Sequence, residues 1–139
     1  MKTKSTPKKN GLHKEYYVNG ELASVGRYRN GLKTGVWKYF LKNGVLRATG
    51  RFVTGQLSGR WKWNRENGGP LQIGTFKQGK QHGTWKRWLK SGILYDAGQF
   101  TNGKRTGSWK IYGANGKMVR TKQYPTLRQA TSGRQKSRG

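Results

Sequence analysis

Cysteine is absent from the 139 residues, so neither a disulfide nor a thiolate metal site can form. Acids are almost absent too: Glu15, Glu21, Glu66 and Asp96 are the only four. They fall in different parts of the chain, with no pair set for general acid–base work. Two histidines, His13 and His82, make a poor transition-metal site without cysteine, and are expected to be structural or solvated. No apolar run approaches the ~20 residues that span a bilayer. The opening MKTKSTPKKN is not followed by the apolar stretch of a secretory signal, and the expected location is the cytoplasm. Gly79-Lys80 and similar pairs sit at turn positions rather than between a strand and a helix, so they do not form a phosphate loop. Neither an enzyme nor a cofactor or small-molecule substrate is expected.

Basic residues and a repeat remain. Lys and Arg total 30 against the four acids, a formal charge of +26. Self-repulsion on that scale favours polyanionic partners. Hydrophobic residues are 31% of the chain, too few for a thick two-layer core, while aromatics at 12% are too many for simple disorder.

Trp37, Trp61, Trp85 and Trp109 recur every 24 residues, as do Gly35, Gly59, Gly83 and Gly107. Gly26, Gly50, Gly74 and Gly98 keep the same step, and so do Tyr28, Phe52, Phe76 and Phe100. An earlier copy opens at Gly11 with His13 in the tryptophan place. The last copy decays, with Lys122 for the glycine and Tyr124 for the aromatic. Five units therefore span residues 11–119, flanked by expected basic tails at 1–10 (with Lys8 and Lys9) and 120–139 (with Arg134, Lys136 and Arg138).

Each unit carries two turn signals twelve residues apart. Asn19-Gly20, Asn43-Gly44 and Asn115-Gly116 predict type I′ hairpins, with Asn67-Gly68 and Ser91-Gly92 in the same place. Gly31-Leu32, Gly55-Gln56, Gly79-Lys80 and Gly103-Lys104 predict type II′ turns. Both sets give one register. Trp37 lies opposite Gly50 and Gly50 opposite Trp61; Gly35 lies opposite Phe52 and Phe52 opposite Gly59. Rings would alternate with glycines along one face. Leu41 with Leu46, and Leu89 with Leu94, would extend it. The other face would carry a ladder of Lys14, Lys38, Lys62, Lys86 and Lys110. Arg27, Arg51 and Arg60 would lie on one side of it, and Tyr16, Phe40, Trp88 and Tyr112 on the other. Such a row taken alone reads equally well as a solvated face. The charge of the whole chain turns the reading toward a polyanion.

The pattern of Gly35-Val36-Trp37 with Phe40, Asn43-Gly44, Leu46, Gly50, Phe52 and Gly55, repeated through the chain, resembles the MORN repeat in the variant found in bacterial antitoxin-like proteins. The resemblance implies an all-β, elongated, single-layer array of antiparallel hairpins serving as a scaffold or binding surface. It also implies links to protein partners, membrane lipids or toxin neutralisation. Charge and resemblance together predict a non-enzymatic scaffold for nucleic acid, RNA or a ribonucleoprotein first. An antitoxin-like module against an acidic protein comes second, and anionic membrane third.

Overall fold

Each 24-residue unit folds as two antiparallel strands, and each strand pairs with the next in sequence. Residues 8–126 are described by the computed structural model. Ten strands form one open sheet in the order of the chain. They are β1 (Gly11–Tyr16), β2 (Leu22–Arg29), β3 (Leu32–Phe40), β4 (Leu46–Val53) and β5 (Gln56–Asn64), then β6 (Pro70–Lys77), β7 (Lys80–Trp88), β8 (Leu94–Thr101), β9 (Lys104–Tyr112) and β10 (Met118–Tyr124). The described residues contain no helix and no second layer.

The turns differ from expectation, and bulges restore the register. At the turns expected as type II′ the loop is Thr54-Gly55, not Gly55-Gln56, because Val53 pairs with Gln56. Both loop residues have positive φ, 49° and 80°, which makes it a type I′ turn. Asn30-Gly31, Gln78-Gly79 and Asn102-Gly103 do the same. Moving the turn by one residue shifts the pairing by two. Gly59, at φ 67°, opens a bulge in which Gly59, Arg60 and Trp61 together oppose Gly50. Thr49 then meets Lys62 in the expected register. Two extra residues leave the faces unchanged, because side chains alternate with period two.

The Asn-Gly set, expected as type I′, is not a two-residue turn at all. Leu41 N–H donates to Val45 O and Gly44 N–H to Leu41 O, which encloses a three-residue loop. Gly44 takes the left-handed position at φ 87°, and the Asn43 side chain accepts from Val45 N–H at 3.1 Å. One extra residue, Arg47, bulges between Leu46 (opposite Phe40) and Ala48 (opposite Tyr39). Leu46 therefore faces Phe40 rather than Leu41, and Leu94 faces Trp88 rather than Leu89.

Trp37 pairs with Gly50, Trp61 with Gly74 and Trp85 with Gly98. Phe52 faces Gly35 on one side as expected, but Leu57 on the other. Trp37, Trp61, Trp85 and Trp109 are 2–3% exposed although no second layer covers the sheet among the described residues. Each indole lies over the backbone of a glycine in the preceding strand, Trp61 over Gly50 and Trp85 over Gly74. Its N–H donates into the bulge, Trp61 to Arg51 O at 3.0 Å and Trp85 to Thr75 O at 3.1 Å. Edge-to-face contacts then run unbroken from His13 through Tyr28, Trp37, Phe52, Trp61, Phe76, Trp85, Phe100 and Trp109 to Tyr124. Rings of this size bury ~150–250 Å² each. At ~25 cal/mol per Å² that is at most ~4–6 kcal/mol per tryptophan.

The ends of the array lie outside the expected limits of 11 and 119. Lys9 O accepts Gly31 N–H at 2.8 Å, and Asn10 Oδ1 accepts Asn30 N–H at 2.9 Å. Residues 8–10 are therefore tied to the Asn30-Gly31 turn, as Lys33 O ties Gly55. At the other end, residues 120–124 are the outer part of β10, and Tyr124 pairs with Gly107.

Candidate nucleic-acid interface

Strand pairing turns five separated lysines into one line. Across the sheet it reads Lys14, Val25, Lys38, Thr49, Lys62, Ile73, Lys86, Ala97, Lys110 and Thr121. A lysine occupies every second strand, ~10 Å from the next, so the line runs for about 40 Å. All five lysines are exposed, because the residues between them are small or apolar and leave the ammonium groups in water.

The arginines expected beside the line are exposed as well. Arg27 pairs with Leu12 and Thr34, Arg51 with Val36 and Ser58, and Arg60 with Thr75. On the other side of the line Phe40, Trp88 and Tyr112 are half-buried, and Tyr16 is exposed. The bulges open clefts between lysine and arginine rows. One of about 410 Å³ has Arg27 and Lys38 in its lining, with Gly26 and Thr34. Another of about 470 Å³ has Arg60 and Lys86, with Gly74 and Thr75. Each offers two cations of different rows to one phosphate-sized anion.

No acid shares this face. Glu21 and Glu66 lie in loops, while Glu15 and Asp96 alternate with His13 and Gly98 on the aromatic face. Asp96 is 3% exposed and takes both hydrogen bonds of an Arg87 fork, at 3.0 and 2.6 Å. That hydrogen bond raises the Arg87 pKa above its ordinary value. The pair was missed by treating the four acids as isolated. The register that opposes Trp85 to Gly98 also opposes Arg87 to Asp96.

Other cations stand over the aromatic face. Lys9 lies 5.1 Å from the Tyr28 ring, Lys33 4.8 Å from Trp37, and Arg105 4.5 Å from Trp109. Lys9, expected in a basic tail, is thus on the face opposite the lysine line. Arg105 also donates to Tyr124 Oη at 3.2 Å and lowers the phenol's pKa, with Lys122 adding a smaller charge effect. These residues share the parity of the tryptophans, the signal that would have placed them there. Lys8 is exposed beside Gly31. Arg134, Lys136 and Arg138 lie outside the described residues. His13 packs edge-on to Tyr28 at 5.0 Å, in the place of a tryptophan. No cluster of three potential metal ligands occurs among the described residues, and no helix there is long and apolar enough to cross a membrane.

The MORN repeat variant matches the chain over residues 9–30, 33–53 and 105–124. The units between them have the same strands, turns and glycine-seated tryptophans. No match to the chain is found among curated proteins.

Proposed function

We propose that this chain, a MORN-repeat protein and hence a repeat-built binding module, holds RNA or a ribonucleoprotein surface along its lysine face. MORN arrays are in general non-catalytic, and the activity proposed is binding alone. The observation that carries the reading is the unbroken line Lys14, Lys38, Lys62, Lys86 and Lys110 on a face without acids. A solvated structural face gains from mixed charge, whereas like charges ~10 Å apart repel, by a few tenths of a kcal/mol per pair in water. A polyanion relieves that repulsion and releases its condensed counterions.

Nothing on the lysine line presents the paired donors and acceptors that read base edges. Recognition is therefore by charge and shape, with little sequence preference. The cytoplasm is the compartment that goes with an RNA partner.

The test is the salt dependence of RNA affinity, measured by fluorescence anisotropy. The logarithm of affinity should fall linearly with the logarithm of salt, by ~0.7–0.9 per phosphate contact. Changing Lys38, Lys62, Lys86 and Lys110 to Gln should lower the slope by roughly 3. Absence of salt-sensitive binding by the intact chain refutes the reading, and an acidic protein partner then replaces it. An unchanged slope in the quadruple variant shows that this face does not touch the phosphates.

A further inference from the structure

Two residues beyond His13 and each tryptophan of the repeat, the aromatic face carries Glu15, Tyr39, Trp63, Arg87 and Ile111. Only Tyr39 and Trp63 are rings, and they belong to adjacent units. Ala48 pairs with both of them. This alanine is 5% exposed, and its small side chain leaves a cleft of about 290 Å³ between the two rings. That is below the size of a site for a whole drug-like ligand and suits one planar ring system. Tyr39 and Trp63 lie 31° and 29° from the plane of Trp61, with centroids 6.4 and 5.9 Å away. Trp61 itself lies on the Gly50 backbone. The three rings thus make a platform that follows the sheet, walled by Phe52 and Leu57.

The polar groups around this platform are donors. Arg47 stands at the cleft although its position in β4 would place it with the lysine face; it is the bulged residue, and a bulge re-aims its side chain. Among the described residues its guanidinium has no ion pair. The Trp63 indole N–H likewise donates to nothing there, unlike those of Trp37, Trp61, Trp85 and Trp109. Lys33 Nζ donates to Tyr39 Oη at 2.9 Å, which leaves the phenol proton free to donate. No acid lines the cleft. A planar group rich in acceptors and joined to negative charge fits these donors.

Arg47 also lines a second cleft of about 590 Å³ at the loop edge of the sheet, with Lys42, Asn43, Asn64 and Glu66. One guanidinium therefore joins an aromatic seat to a second cleft that holds another cation, beside Tyr17 and Leu41. Glu66 in the second seat is an acceptor for a sugar hydroxyl.

The geometry points to a nucleotide subsite: the cleft over Ala48 takes one unpaired base, and Arg47 with Lys42 takes its phosphate. This rests on the RNA reading and adds a preference that the lysine line cannot supply. Phosphate contacts along that line serve duplex and single strand alike, whereas a paired base cannot enter the cleft. A strand lying on the lysine face would reach the cleft around the Lys42–Gly44 loop.

The test compares a short oligoadenylate single strand with a blunt RNA duplex of equal length, by anisotropy at fixed salt. The intact chain should bind the single strand roughly tenfold tighter, the share of one stacked base. Trp63→Ala and Arg47→Gln should each bring the two affinities together by weakening the single strand, with duplex affinity unchanged. Arg47→Gln leaves the packed rings in place, so a folding defect in Trp63→Ala cannot mask the result. Equal affinities in the intact chain, or a preference that survives both substitutions, overturn the subsite and leave the lysine face standing. Failure to bind either RNA overturns both.

Discussion

Replacing Gly74 by alanine puts a methyl group where the Trp85 indole already is. A Cβ at Gly74 falls within the ring, closer to Cδ2 and Cε2 than real Cβ atoms come. The obstacle is a fused ring pinned at both ends, not the tip of a flexible side chain. Phe76 and Phe100 pack against its faces and edges at 5.2 and 5.5 Å, and its N–H is held by Thr75 O. The ring must lift from the sheet. Overpacking of this kind costs about 1–3 kcal/mol. The indole hydrogen bond, worth ~0.5–1.5 kcal/mol, stretches or breaks. Alanine restricts the unfolded chain more than glycine does and returns ~0.4–1 kcal/mol. The net loss is about 1–4 kcal/mol, or a fall in Tm of roughly 5–15 °C for a chain of this size. Circular dichroism with thermal and urea denaturation measures it, with Thr75→Val as the neighbouring control. In a Trp85→Leu background the cost of Gly74→Ala should largely vanish, a coupling of ~1 kcal/mol or more. A Tm within ~2 °C of the parent, or an equal cost in both backgrounds, refutes the seating of tryptophan on glycine.

The ion pair should respond unequally to its two truncations. Arg87→Ala strands the buried Asp96 carboxylate and should cost ~3–5 kcal/mol, whereas Asp96→Ala leaves a guanidinium that is 42% exposed and places alanine where the second unit has Ala48. Equal losses in urea denaturation would refute this account. Ending the chain at residue 119 should destabilise the last unit, because it removes Arg120–Tyr124 from β10 and the Tyr124 ring 6.2 Å from Trp109. Tryptophan emission should shift to the red at temperatures where the intact chain is unchanged; identical spectra and melting would show that residues 120–124 add nothing to the array.

The 24-residue period, the ten-strand meander and the division into an aromatic and a lysine face follow from the sequence by itself. Two turn signals per unit set the net register, and side-chain alternation does the rest. Trp37 opposite Gly50, and Lys38 on the other face, are consequences of counting. The lysine line was legible for the same reason, and so in principle was Arg87 opposite Asp96, since one register places both. Counting cannot show where within a hairpin the extra residues go. A turn moved to Thr54-Gly55 with a bulge at Gly59-Arg60 ends in the same register as a turn at Gly55-Gln56 without one. Only the tertiary structure decided between them, because a left-handed Thr54 and a left-handed Gly59 are tolerated together when the bulge also supplies a carbonyl to the Trp61 indole. The same choice set which tryptophan each glycine carries. The bulge after the Asn43-Gly44 turn, which recurs in every unit, turned Arg47 from the lysine side to the cleft above Ala48, a placement that depends on one unpaired residue rather than on strand alternation.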